Sequence, residues 1–158
     1  MEKTDYTFFW KGTVRVEINK NIKVKFVDFG NACWTHKHFT DSIQTREYRS
    51  PEVIIGTSYE ANTDIWSIAC IIFELLTGDY LFKPSSKTPE NTKDESHLAL
   101  MFSTLGPMPK KTALSGTRSR DLFNKGGKLR NAEVPESYPI SDILYEEYGF
   151  MRSDADAI

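Results

Sequence analysis

Residues 27–56 read VDFGNACWTHKHFTDSIQTREYRSPEVIIG, and this stretch decides the fold. It begins around Asp28-Phe29-Gly30 and ends around Ser50-Pro51-Glu52. A carboxylate at the end of a strand, followed by a flexible glycine, can hold a magnesium ion between nucleotide phosphates. An Asp at such a junction is more often an ordinary turn residue. A metal-binding role for Asp28 can therefore be predicted only together with the motifs that follow it in the sequence.

A strongly apolar helix follows that stretch. Residues 63–77 read TDIWSIACIIFELLT, with apolar side chains on nearly every helical face. Asn62 or Thr63 is expected to cap this helix, and Gly78 is expected to end it. Such a pattern is typical of a helix buried on all sides in a large protein, which fits poorly with a free-standing chain of 158 residues.

The other predicted elements are a β-hairpin and several short helices. The hairpin consists of strands at 13–18 and 22–29, rich in β-branched residues, around a turn at 19–21. Helices are predicted at 51–55, 95–105, about 119–123 and 140–148, and a last one begins near 154.

Composition places the chain among ordinary globular proteins. It is 39% hydrophobic and 13% aromatic, with a formal net charge of −2, so it lacks the basic excess of a nucleic-acid binder. Its two cysteines, Cys33 and Cys70, cannot form a disulfide framework or a zinc site by themselves. The longest apolar run is far shorter than a membrane span requires. We therefore expect an intracellular protein without a direct nucleic-acid or membrane partner.

The order of these motifs resembles the activation segment of a protein kinase. A strand, Asp-Phe-Gly, a segment of twenty residues and a Pro-Glu pair before a short helix are typical of that family. Residues 30–56, TGDYLF at 77–82 and KDESHLAL at 93–100 resemble the SR-protein kinases almost residue for residue. The dual-specificity tyrosine-regulated and CDC-like kinases share only the Thr-Arg-x-Tyr-Arg-Ser-Pro-Glu core.

The resemblance implies an α+β, mainly helical fold: part of the C-terminal lobe of a eukaryotic protein kinase, with a short β-hairpin. Residues 1–21 would be the tail of a spacer or the start of the hairpin. Residues 22–158 would be the partial lobe, with the activation segment at 28–52, a central buried helix at 63–77 and the family's insert at about 79–150.

The same resemblance assigns roles within the activation segment. Asp28 would be the magnesium ligand, with Phe29 and Gly30 as its structural neighbours. The residues that would shape the pocket beside the phosphoacceptor are Thr45, Arg46, Tyr48 and Arg49. The alternative for the two arginines is that they are plain surface charges.

Further roles are structural or serve substrate docking. Glu52 would be buried and pair with an arginine near the end of the lobe, Asp64 would hold the backbone of the catalytic loop, and Trp66 would lie in the core. Plainer alternatives make Glu52 a solvated acid and Asp64 a helix cap. The acids that would grip arginine-rich substrates are Asp79, Asp94 and Glu95. Two positions where the family carries acids hold serine instead, Ser96 and Ser103.

The implied function is that of a serine/threonine kinase that uses ATP and Mg²⁺ to phosphorylate arginine-serine-rich splicing factors, and so regulates mRNA splicing. The sequence contains no glycine-rich phosphate loop and no catalytic Asp followed by Asn. We therefore interpret the chain as a fragment that is partly folded at best, and inactive, when alone. The alternative is a degenerate kinase lobe that binds partners without catalysis. Either protein is expected in the cytoplasm, the nucleus or both.

Overall fold

The computed structural model describes residues 7–9, 15–17, 23–85 and 92–158. The chain forms two compact units, Met1–Trp34 and Thr35–Ile158.

The first unit contains a small antiparallel sheet. Strand β1 (Thr7–Phe9) pairs with β2 (Arg15–Glu17), with Phe8 opposite Val16. The strand predicted at 13–18 is thus confirmed at its centre, but its partner precedes it. The strand predicted at 22–29 is wrong over 23–28, which has no regular structure, and the predicted turn at 19–21 lies outside the described residues. An alternating pattern predicts an extended segment, but it does not predict which strand will pair with that segment and satisfy its backbone hydrogen bonds.

The second unit is helical. A 3₁₀ turn, Arg46–Tyr48, precedes its helices. The helices are α1 (Pro51–Ile55), α2 (Asn62–Thr77), α3 (Lys93–Leu105), α4 (Lys110–Ala113), α5 (Ser119–Leu122), α6 (Ile140–Glu146) and α7 (Arg152–Ala155). Only α4 has no counterpart in the sequence prediction. None of the helices in the described ranges has the length and apolarity that crossing a membrane requires.

The helix ends show which local signals were informative. Gly56 and Gly78 end α1 and α2 in the left-handed conformation, with φ of 73° and 77°, as predicted. The cap predicted for α2 is wrong, because its N-cap is Ala61 and no side chain accepts a capping hydrogen bond there. Helix α3 begins earlier than predicted, because Thr92 and Glu95 form a reciprocal capping box.

Two apolar clusters hold the helices together. The larger includes Ile54 and Ile55 of α1, Cys70 of α2 and Leu98 of α3. The smaller consists of Phe73, Leu144 and Ala155, which join α2, α6 and α7.

Helix α2 contributes only one face to these clusters. Its other face leaves Ile65, Ile72 and Leu75 exposed by 64%, 48% and 76%. The prediction that this helix is buried on all sides is therefore wrong for this chain. Apolar periodicity reports how much of a helix can be buried, not which surface covers it.

The loop 114–118 packs closely against the end of α1. The amide of Thr117 donates to the carbonyl oxygen of Gly56 at 3.0 Å, and that of Arg118 donates to Ile55 O at 3.1 Å. A Cβ atom at Gly116 would overlap the carbonyl oxygen of Ile55. Glycine is therefore required at 116 for this close backbone approach.

We predict that Gly116→Ala destabilises the protein by about 1–3 kcal/mol, because backbone rather than a flexible side chain must move. Gly126→Ala is the matched control, since its nearest neighbour is the Asn124 side chain at 3.0 Å. The control should change stability by less than about 1 kcal/mol. Urea unfolding measures both, and equal losses would contradict the close approach.

Candidate functional site

Gln44 joins segment 44–50, part of the predicted activation segment, to helix α2. Its Nε2 donates to Thr63 O at 2.8 Å and to Ser67 Oγ at 2.6 Å, while its Oε1 accepts from the amide of Ser50 at 2.8 Å. The backbone of Gln44 has φ of 64°, which non-glycine residues adopt at a cost. These side-chain contacts hold both ends of segment 44–50 against the first turns of α2.

Tyr48 makes a second connection to the same helix. Ser67 Oγ donates to Tyr48 O at 2.9 Å, and the Tyr48 hydroxyl donates to Glu74 Oε2 at 2.7 Å. The hydrogen bond to Glu74, together with partial burial, raises the pKa of Tyr48. The hydroxyl therefore stays protonated and serves as a donor.

The Arg49 side chain folds back on its own segment. Its Nε donates to Ile43 O at 3.1 Å, and its Nη2 donates to Gln44 O at 2.9 Å. Burial, followed by the nearby charge of Arg46, lowers the pKa of Arg49. Arg49 is thus half-buried and stabilises the backbone of its own segment, and it is not a solvated surface charge.

Asp94 is the buried acid of this region. It is 8% exposed, its Oδ1 accepts from Arg46 Nη1, and its Oδ2 accepts from Arg118 Nη2 at 2.5 Å. The second guanidinium nitrogen, Arg118 Nη1, donates to Ile54 O at 3.0 Å. Burial acts to raise the pKa of Asp94, but the two guanidiniums outweigh it and hold the pKa below its ordinary value. One carboxylate thus pairs with an arginine of segment 44–50 and with an arginine of the loop 114–118, and it offsets one of their two positive charges.

His97 lies beside this ion pair, fully buried. Its ring centroid is 5.4 Å from that of Phe82, and neither ring nitrogen has a hydrogen-bond partner within the described ranges. Burial, and then the positive charge of Arg46, lowers the pKa of His97 to about 4. The ring is therefore neutral at physiological pH.

The acids predicted for substrate docking have internal partners. Besides Asp94, Glu95 is 1% exposed, and its Oε1 accepts from the backbone amide and side-chain Nδ2 of Asn131 at 3.0 and 3.1 Å. Asp79 is more exposed, and it binds Lys83 Nζ at 2.5 Å and the Tyr148 hydroxyl at 3.0 Å. The burial of Asp94 and Glu95 speaks against their contact with a substrate.

The remaining predicted site residues are distributed over both units. Glu52 is half-buried and its Oε1 accepts from Thr63 Oγ1 at 2.9 Å, and the ion pairs of the described residues do not include it. Asp64 is exposed in the first turn of α2. Thr45 is also exposed, and Trp66 is half-buried with its ring stacked at 6.0 Å on Phe82.

Asp28 belongs to the first unit and begins a 3₁₀ turn, Phe29–Asn31. It is exposed, with φ of 65° in the left-handed region, and Phe29 and Gly30 are exposed beside it. Kinases in general use ATP with Mg²⁺ held by several groups. In the part of the chain that the structure describes, His, Cys, Asp and Glu form no cluster of three that could hold a metal ion.

Sequence reasoning missed Gln44 and Arg118, among other residues of the ion-pair and hydrogen-bond network. Gln44 lies inside the stretch that decides the fold, but an amide side chain between Ile43 and Thr45 carries no sequence signal of its own. Arg118 lies in a loop without periodicity, and no spacing rule links it to Asp94. Only the fold brings these groups together.

Comparison with known proteins identifies the class. The protein kinase domain family matches residues 16–131, so the chain belongs to the protein kinase family. A solved crystal structure described as a kinase domain aligns with a TM-score of 0.72 and 27% identity, over 98% of this chain and 47% of that chain. The predicted fold class, an incomplete and mainly helical kinase lobe, is confirmed.

Individual relatives confirm the particular resemblance to SR-protein kinases. The chain is 52% identical over 137 residues to protein kinase dsk1 of Schizosaccharomyces pombe, covering 87% of this chain and 25% of that protein. It is 47% identical to serine/threonine-protein kinase SRPK of Physarum polycephalum, with 85% and 32% covered. It is 50% identical to human SRSF protein kinase 3, with 85% and 24% covered. The chain thus spans about a quarter to a third of these relatives.

We predict that Gln44→Ala lowers stability by about 2–3 kcal/mol, because it leaves buried polar groups without partners. The amide of Ser50 should exchange its hydrogen faster in this variant. The control is Ser42→Ala at a nearby exposed position, with an expected change under about 0.5 kcal/mol. Unchanged exchange at Ser50 would contradict the role of Gln44.

The buried His97 predicts a pH dependence of stability. Its folded-state pKa of about 4 lies below the ordinary value of 6.5. The contribution of the neutral ring to the free energy of unfolding is therefore fully present above pH 6.5, and it is lost as the pH falls toward 4. The loss attributable to His97 should be roughly 3 kcal/mol. Comparing unfolding of the wild type and His97→Leu across this range isolates it. Identical pH profiles of the two proteins would refute the prediction.

Proposed function

We propose that this chain is part of a serine/threonine kinase of the SR-protein kinase type, which transfers the γ-phosphoryl group of ATP to serine in arginine-serine-rich splicing factors. The observation that carries the proposal is the ordered segment 43–50, held by Gln44, Tyr48 and Arg49, in a chain that is 52% and 47% identical to two of these kinases over most of its length. Such a protein would regulate mRNA splicing from the cytoplasm, the nucleus or both.

The proposed division of roles follows the resemblance of the motifs to those of these kinases. Thr45, Arg46, Tyr48 and Arg49 shape the pocket beside the phosphoacceptor serine, and Asp28 is the magnesium ligand. Glycine-rich, lysine and catalytic-loop residues are not in this sequence, and we propose that they belong to the rest of the protein. Without them, we expect the chain alone to transfer no phosphoryl group.

A cleft in the second unit has carboxylates near it that can attract the arginines of the proposed substrate. Its volume is about 490 Å³, and it lies between α3 and the segment 135–138. Tyr138 lines it and donates from its hydroxyl to Glu146 Oε2 at 3.3 Å, and burial, together with Glu147 and Glu146, raises the pKa of Tyr138 to about 12. Exposed carboxylates at this rim can attract a basic peptide, a role that the buried Asp94 and Glu95 cannot fill.

The full-length protein, supplied with ATP and Mg²⁺, should phosphorylate an arginine-serine peptide in preference to a glutamine-serine peptide. Asp28→Asn should lower kcat by at least about 100-fold, because the amide is a weaker magnesium ligand. The matched control is Asp41→Asn, another exposed acid that has no assigned role. Phosphate incorporation measures all three proteins.

Two outcomes would reject parts of this proposal. Binding of the arginine-serine peptide by a wild-type protein without any phosphoryl transfer would favour the alternative, a degenerate kinase lobe that binds partners. Equal rates on both peptides would retain the kinase but reject the substrate class.

A further inference from the structure

The carboxylate of Asp94 lies at the meeting point of three segments that are far apart in the sequence. It contacts Arg46 in the activation segment and Arg118 in the loop 114–118, and it belongs to the first turn of α3. We propose that Asp94 and Arg118 are positioning residues that hold Arg46 beside the phosphoacceptor and mask its charge. This inference rests on the proposed kinase function.

Asp94 is fixed from its own side of the contact. The capping box of Thr92 and Glu95 fixes the first turn of α3, and Glu95 is bound in turn by Asn131. The Asp94 side chain is only 11% exposed, and each of its oxygens accepts from a guanidinium. It therefore presents a rigid, fully used carboxylate to its partners rather than to solvent.

Arg118 is fixed from the opposite side. Its Nη1 donates to Ile54 O at 3.0 Å and its backbone amide donates to Ile55 O at 3.1 Å, both at the end of α1. Since Asp94 and Arg118 are each bound to a helix, the position of the Arg46 guanidinium follows from theirs. The Arg46 side chain is 28% exposed, so one part of it still faces solvent where a substrate could contact it.

The charge balance of this cluster makes Asp94 decisive. Arg46 and Arg118 share its single carboxylate, and both also lie near enough to Arg49 to lower the pKa of that residue. Without the Asp94 charge, the guanidiniums would repel each other in a half-buried place, and Arg46 would turn towards any available anion. Asp94 therefore controls both the position of Arg46 and its attraction for acidic residues near the acceptor serine.

The test uses the full-length protein with two peptides that differ only in the residue after the acceptor serine, Gln or Glu. Asp94→Asn should raise KM for the Gln peptide about 10-fold while kcat changes less than about 3-fold. The ratio of kcat/KM for the Glu peptide to that for the Gln peptide should rise at least about 5-fold, because the freed guanidinium attracts the carboxylate.

Companion variants separate positioning from general damage. Arg118→Gln should shift KM in the same direction by about 3-fold or more, and Arg118→Lys should restore it in part, since an ammonium can pair with Asp94 but cannot also donate to Ile54 O. The matched control is Arg152→Gln, because Arg152 also lies 2.5 Å from an aspartate, Asp142, and its side chain is 50% exposed. That control should leave KM and the peptide ratio unchanged.

The outcomes are distinguishable from failure of the proposed function. If the wild type is active but KM and the peptide ratio are unchanged in Asp94→Asn and Arg118→Gln, the inference is overturned and the kinase proposal stands. A fall in kcat without a change in the peptide ratio has the same meaning. An inactive wild type rejects the kinase proposal. In that case, hydrogen exchange of the Tyr48 and Arg49 amides tests whether Asp94 positions this segment. Their backbone bonds to Thr45 O and Arg46 O should open faster in Asp94→Asn but not in Arg152→Gln. Equal exchange in these two variants overturns the inference.

Discussion

A buried carboxylate shared by two guanidiniums is the constraint on which the second unit depends. Placing Asp94 away from water is unfavourable unless both of its oxygens receive charged donors. Arg46 and Arg118 supply them from a segment and a loop that lie far from Asp94 in the sequence. The fold must therefore bring α3, the activation segment and the end of α1 together for the charge to be tolerated. Removing either arginine leaves one oxygen of the buried carboxylate without its charged donor, with a cost of about 1–3 kcal/mol.

Segment 44–50 is also joined to α2, through hydrogen bonds that are neutral except for the one from Tyr48 to the Glu74 carboxylate. Gln44 and Tyr48 contact the backbone and side chains of that helix, and Ser67 links the two through its single hydroxyl. Neutral contacts of this kind each contribute about 1 kcal/mol net and are directional. The segment is thus oriented by hydrogen bonds to groups of α2, and the charge of its Arg46 is partly offset by a carboxylate of α3. This arrangement leaves Thr45 exposed between residues that cannot move freely.

Much of the fold could be predicted because local chemistry determines it. Pro51 at the first turn of α1 and the left-handed glycines after α1 and α2 mark the helix ends without any tertiary information. The motif order around Asp28 was sufficient for the family. The strand expected at 22–29 and the full burial of α2 could not be predicted, because each depends on a neighbouring surface. Alternation and apolarity are properties of one segment, whereas strand pairing and helix burial depend on the other segments that pack against it.

The candidate site was less predictable for a related reason. Sequence identifies Asp94 and Glu95 as charged residues, and charged residues are usually at the surface. Their burial follows from partners that the sequence does not reveal, Arg118 in an aperiodic loop and Asn131 further along the chain. The same limitation hid Gln44, whose importance lies in three contacts made after folding. A role that a motif assigns to a residue therefore has to be checked against the burial of its side chain, because a buried side chain cannot contact a substrate.

A double-mutant cycle on unfolding free energy tests most directly whether the shared carboxylate organises this region. The cycle compares Asp94→Asn, Arg118→Gln and the double variant in the full-length protein. A buried, shared ion pair predicts a coupling energy of about 1.5–3 kcal/mol between the two positions. Additive losses, with a coupling energy below about 0.5 kcal/mol, would show that Asp94 and Arg118 act independently and would contradict the central role given to them here.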